Sequence, residues 1–171
     1  MKIKLKKLVF AAMMTALSVV IGLVCKTYLT FGAIRITFEN LPVVLSGVLL
    51  GPVYGAVVGT ASDLISAPLS GFGINPVITL GAATVGFVGG LVFKCLPKRA
   101  KFISSLASVM SAHIVGSMIV KSLGLLMYAY PLQTIFFRVP LYAAIGLAES
   151  YLVFCILKNK AISQFSEEVK R

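Results

Sequence analysis

The sequence predicts an all-α integral membrane protein with six transmembrane helices and both termini cytoplasmic. Three observations carry this. Only 12% of the 171 residues are charged and 58% are hydrophobic, where a soluble domain carries roughly a quarter of its residues charged. The uncharged run from Leu8 to Cys25 meets by itself the ~20 residues that cross a bilayer core. The basic residues gather in three places, Lys2, Lys4, Lys6 and Lys7, then Lys94, Lys98, Arg99 and Lys101, then Lys158 and Lys160; the positive-inside rule assigns all three to the cytoplasm. The net charge of +11 therefore reports orientation and gives no reason to expect nucleic acid as a partner.

The first helix spans about 7–28. Its leader "MKIKLKK" would suit a signal peptide, but equally apolar segments follow and no A-x-A cleavage site stands where one is needed. Helices at 39–51 and 53–67 come next, joined at Gly51-Pro52, and Pro52 suits a first helical turn, where its missing N–H is not used. Counting them as two crossings leaves the Lys94–Lys101 cluster inside. A helix over 39–51 is only about 20 Å long at 1.5 Å per residue; so short a segment survives in lipid where protein covers its ends, which places the pair inside the bundle. Gly47, Gly51, Gly55 and Gly59 recur every four residues, and Gly86 and Gly90 repeat the spacing, a pattern that lets helix backbones approach closely. Ala12 and Ala16, with Ala11 and Thr15 beside them, read as a similar smooth packing strip.

The fourth helix, about 76–96, starts at Asn75-Pro76, a natural capping pair. Helices at about 102–128 and 132–159 complete the bundle, and 161–171 is a polar cytoplasmic tail expected to fray. The connections 29–38, 68–75 and 129–131 then lie outside.

Enzyme signatures are missing: the chain has no HExxH, no Walker A run and no GxSxG. One histidine and three scattered cysteines (Cys25, Cys95, Cys155) make neither a metal set nor a disulfide framework. What remains is a few ionisable residues within the spans, which are costly there and mark functional sites. Lys121 and Arg138 fall at similar depths on neighbouring helices, roughly 10–12 Å below the outer loops at 1.5 Å per residue, and Asp63 a little shallower. Asp63 can pair with Arg138 or with Lys121, but one acid does not balance two bases, and the surplus positive charge would suit an anionic ligand. Lys121 can alternatively snorkel to the interface. Deeper, His113 and Glu149 come level on the fifth and sixth helices, as a satisfied interhelical contact or as the relay of a stand-alone proton-coupled carrier. Tyr28, Phe72 and Tyr128 in the outer connections can stack on a flat ligand, and the helix starting after Asn75, with Thr79 one turn in, points its positive dipole end at the same region. Glu39, at a helix start, is explained by that same dipole.

The run "IRITFENLPVVLSGVLLGPVYGAVVGTASDLI", together with "NPVITLGAATVGFVGGLVF", resembles the substrate-binding S components of energy-coupling factor (ECF) vitamin transporters. The similarity covers essentially the whole chain and is densest from Arg35 to Gly90, through R-I-x-F-x-x-L-P, L-x-G-P-x-x-G, Asp63, and Pro76, Thr79, Leu80 and Ala83. Within the family these features, with "FFRVP" around Arg138, are most similar to the folate group. The resemblance implies an S-component bundle in a bacterial-type plasma membrane that binds its vitamin from outside and itself holds no cofactor. It implies a transmembrane coupling subunit and two cytoplasmic ATPases as partners, which hydrolyse ATP while the S component topples and releases its load inward. It moves Ala12 and Ala16 from internal packing to the partner interface. Substrate contacts would be Arg35 and Arg138 for carboxylates, Asp63, Asn75, Thr79 and Lys121 for polar groups, and Phe72, Tyr28 or Tyr128 for stacking, because no Trp is present. Folate, pantothenate and a small heterocyclic precursor are the candidate ligands.

Overall fold

The eleven-residue helix Asn40–Leu50 (α2) runs through the middle of the bundle, with every residue but Leu41 buried. At 1.5 Å per residue it is about 16 Å long, and the cover its ends require comes from the helices around it. The computed structural model describes residues 2–31, 34–71, 73–97, 101–127 and 132–170. α1 (Lys2–Tyr28) leads into a two-residue antiparallel ladder, β1 (Thr30–Phe31) on β2 (Ile34–Arg35), with Thr30 opposite Arg35. After α2 come α3 (Pro52–Leu69) and α4 (Pro76–Cys95), then a long rod made of α5 (Lys101–Ala112), a wide-turned π-helical stretch His113–Val120 and α6 (Lys121–Leu126). α7 (Leu132–Lys158) and α8 (Lys160–Lys170) end the chain.

Four helical stretches are long and apolar enough to cross a membrane: Ile3–Tyr28, Pro76–Cys95, Lys101–Leu126 and Ile135–Lys158. Their outer faces carry large apolar side chains in the open, among them Leu8, Val20, Leu80, Phe136 and Leu152. In water such a surface would aggregate; it suits lipid. The chain is a membrane protein. Inside, Val44 and Leu49 of α2, Val58 of α3, Val85 of α4, Val109 of α5 and Val153 of α7 are fully buried and form one contiguous core.

The glycines explain how α2 and α3 fit. A Cβ at Gly47 would lie 2.3 Å from the Gly86 carbonyl oxygen, one at Gly59 2.2 Å from that of Ala82, and one at Gly86 2.1 Å from that of Gly55. α4 therefore lies against both short helices with backbone touching backbone, where dispersion between close surfaces replaces the hydrophobic effect as the cohesive force. Gly51 has a different task. Its φ of 109° makes the reversal between α2 and α3, and its N–H donates to the Gly47 carbonyl at 3.0 Å. Only glycine takes that conformation without cost.

Two expectations are corrected. The fifth helix is not wound as one α-helix, because the eight residues from His113 form wide turns against the glycine face of α4, where Gly116 and Gly81 are in backbone contact. The tail at 161–171 does not fray through 170: α8 puts Ile162 and Phe165 onto the core, stacks Phe165 against Phe10 with ring centroids 4.9 Å apart, and pairs Glu168 with Lys6 at 2.6 Å. An apolar residue every three to four positions makes that stretch amphipathic, and the start of α1 offers it a surface.

Candidate substrate-binding cleft

α2 begins beside a polar cleft between the ends of α1, α3, α4 and α6. Glu39 and Asn40 enter it from the start of α2, Ser18 from α1, Ser62, Asp63 and Ser66 from α3, and Lys121 from α6, with Val43, Gly59 and Ala82 as its apolar floor. It is open at its mouth, and the space in it that admits a water-sized group is about 10 Å³.

Lys121 is the centre of this arrangement. It is 6% exposed, so it does not snorkel. Its Nζ donates to Asn40 Oδ1 at 3.3 Å and lies 3.7 Å from Glu39 Oε1. Gly81 makes the room, since a Cβ there would fall 2.5 Å from Lys121 Cγ. Gly22 does the same for Glu39, whose Oε2 lies 2.8 Å from where a Gly22 Cβ would stand, and the Ser18 hydroxyl donates to the Glu39 carbonyl at 2.7 Å. Glu39 is thus a wall of the cleft, and its side chain makes no cap on α2. The sequence reading missed it; the signal available was a small residue on α1 facing an acid at a helix start.

Asp63 pairs with neither Lys121 nor Arg138. Thr79 Oγ1 lies 2.6 Å from Asp63 Oδ2 and 3.1 Å from the Asn75 carbonyl oxygen; its single hydrogen goes to the carboxylate, the shorter contact and the charged acceptor. Two carboxylates and one ammonium line the cleft, in place of the surplus positive charge expected there. Asn75 works as a double tie. Its Oδ1 accepts from the N–H groups of Val77 and Ile78, and its Nδ2 donates to the Gly124 carbonyl at 3.1 Å, joining the start of α4 to the end of α6. Asn75→Ala loses the cap and the tie to the Gly124 carbonyl, an expected cost of about 2 kcal/mol, visible as a lower unfolding midpoint in detergent.

Arg138 stands apart from this cleft. Its Nη2 donates to the Ser117 carbonyl at 3.4 Å, its guanidinium carbon lies 4.9 Å from the Tyr142 ring centroid, and its Nε is buried without a partner among the described residues. It belongs with a second polar cluster, in which His113 Nε2 and Glu149 Oε2 are 2.7 Å apart and both side chains are fully buried. Gly146 leaves space for that imidazole, because a Cβ there would come 3.2 Å from His113 Cδ2.

The remaining candidates are spread around the molecule. Tyr28 is 75% exposed at the end of α1. Lys26 donates to the Ser70 carbonyl, which ties that end to the α3–α4 connection. Arg35 is placed by its backbone in β2, while its side chain, Phe72 and Tyr128 lie outside the described residues. Ala12 and Ala16 are exposed on α1, on the side away from buried Ala11, Ser18 and Val19, so they are not internal packing. Among the described residues no three His, Cys, Asp or Glu side chains gather as a metal set.

Among known families, the one described as ECF transporter, substrate-specific component, matches residues 6–163. No curated protein matches the chain.

Proposed function

The chain is a member of the ECF transporter substrate-specific component family, and on that premise we propose that it is the vitamin-binding subunit of an ATP-driven importer, with folate as its ligand. The observation that carries this is Lys121, a buried ammonium facing two carboxylates across a small open cleft. Charged groups are too costly in a membrane interior to be kept there without use. Asp63, braced by Thr79, is an acceptor for the amino and ring N–H edge of a pterin. Lys121 takes a ring carbonyl or carboxylate and Arg35 takes the acidic tail, while Arg138, held on Ser117 and Tyr142 away from the cleft, makes no ligand contact in this reading. The space in the cleft open to a water-sized group is about 10 Å³, far below the 300–1,000 Å³ usual for small-molecule sites, so in this reading the cleft widens as the ring enters. Pantothenate or a small heterocyclic precursor would use the same groups without the long tail.

In this reading α2 and α3 count as two of six crossings and both chain ends are cytoplasmic. The coupling subunit docks on the Ala12 and Ala16 face, and two ATPases drive toppling and inward release. Ala12→Leu with Ala16→Leu is expected to stop co-purification with the coupling subunit while leaving ligand retention unchanged. A stand-alone carrier would instead use the His113–Glu149 pair; it requires pH-gradient-driven uptake by the protein alone in liposomes, where the proposed function requires none.

The decisive experiment is mass spectrometry of the small molecule released from the purified protein, followed by titration with folate. Lys121→Met is expected to weaken folate binding about a hundredfold, the size of effect seen when one partner of a buried charged contact is removed. Equal folate affinity in that variant, or release of an unrelated compound, would refute the assignment.

A further inference from the structure

Lys121 reaches the cleft only because of how the helix before it is wound. Its N–H donates to the Gly116 carbonyl, five residues back. A turn closed at five residues holds one residue more than an α-turn, and each such residue re-aims everything after it by about 100°, at 3.6 residues per α-turn. With α-helical winding from His113 onward, the Lys121 side chain would point away from Asn40 and Glu39. Wide turns are rare and sit disproportionately at functional positions, which raises the question of what holds this one.

α7 supplies the restraint. At the first residue of the wide stretch, His113 Nε2 is 2.7 Å from Glu149 Oε2; the other ring nitrogen, Nδ1, is 3.3 Å from Ser117 Oγ, inside the stretch. The Ser117 carbonyl accepts from Arg138 at 3.4 Å and lies 3.5 Å from the Ser122 hydroxyl. On the far side α4 is shaped for the result, because Gly81 leaves the slot that Lys121 Cγ fills. Glu149 is fully buried, and among the described residues its Oε1 has no partner. Such a group costs stability, and a simple packing contact between α5 and α7 would not need it.

We infer that the buried Glu149–His113 pair is a positioning device for the cleft: it clamps the wide turns of His113–Val120 and so aims Lys121 at the ligand. The inference rests on the proposed role of Lys121 as a ligand contact, but the placement can be measured without any ligand. The clamp acts at the start of the wide stretch and Lys121 follows its end, so loosening Glu149 releases the rotation as a unit.

The test is the reaction rate of a single cysteine. In a chain with Cys25, Cys95 and Cys155 replaced by Ala, Lys121→Cys places a thiol beside the open cleft, and a charged, water-soluble methanethiosulfonate should label it readily. Glu149→Met, close in size but without an acceptor, is expected to slow labelling at least tenfold. Glu149→Gln, whose amide oxygen still accepts from His113, is expected to restore it. An unchanged rate in Glu149→Met, in protein that elutes as a single folded species, overturns the inference. Should Glu149→Met fail to fold, His113→Leu combined with Glu149→Met removes the same clamp while filling its space and is expected to slow labelling in the same way; an unchanged rate there overturns it equally. Retention of the co-purified small molecule, read by mass spectrometry in Glu149→Met with Lys121 intact, reports on the binding assignment separately. Slowed labelling with full retention supports the clamp and refutes Lys121 as the ligand contact.

Discussion

Gly86→Leu is expected to yield no folded protein. A Cβ at that position would lie 2.1 Å from the Gly55 carbonyl oxygen and 2.3 Å from its carbon, so the obstacle is backbone, which cannot step aside as a side chain can. Overpacking a core usually costs about 1–3 kcal/mol, when neighbouring side chains absorb the strain; here α4 would have to part from α3, and the cost should exceed that range. Even Gly86→Ala is expected to lower the unfolding midpoint sharply. Gly73→Ala is the control, since a Cβ there meets nothing within 4 Å. Monodispersity and thermal unfolding in detergent read all three. Equal midpoints for Gly86→Ala and Gly73→Ala would show that the α3–α4 seam is not as tight as described.

His113→Ala is expected to cost about 3 kcal/mol, from the cavity left by the ring and from a buried carboxyl oxygen that loses its hydrogen-bond partner. It removes the only hydrogen-bond partner of Glu149 Oε2 among the described residues and opens a hole beside Gly146, while Oε1 is already unpaired. The pair is costly to break and cheap to replace. His113→Leu combined with Glu149→Met should therefore recover at least half of the loss, a coupling that a double-mutant cycle measures directly. Additive losses in the double variant would mean that the two side chains act independently.

The features that came through from the sequence are those with a local physical cause. Asn75-Pro76 caps α4 as the pair suggested, because capping depends on residues within one turn. The Gly51-Pro52 reversal and the burial of α2 followed from a segment too short to cross lipid uncovered. His113 and Glu149 met because equal depth on neighbouring helices already restricts partners. Depth alone did not decide the pairing of Asp63, Lys121 and Arg138. Two helices at the same level can present residues in any direction around their axes, and that direction is set by packing. Asp63 turned to Thr79, Lys121 to Asn40 and Glu39, and Arg138 to Ser117 and Tyr142.

By itself, then, the sequence determined the solvent and the skeleton: lipid, long apolar helices, a glycine-lined pair of short helices, and a handful of ionisable residues near one end. These rest on composition and on spacing along the chain. The tertiary structure alone decided the rotation of each helix. "HIVGSMIV" contains nothing that distinguishes it from an ordinary apolar α-helix; its wide turns arise where Gly116 meets Gly81 on α4 and where α7 holds His113 and Ser117. One extra residue per turn is a local change in winding made by distant contacts, and it determines which charge the cleft contains.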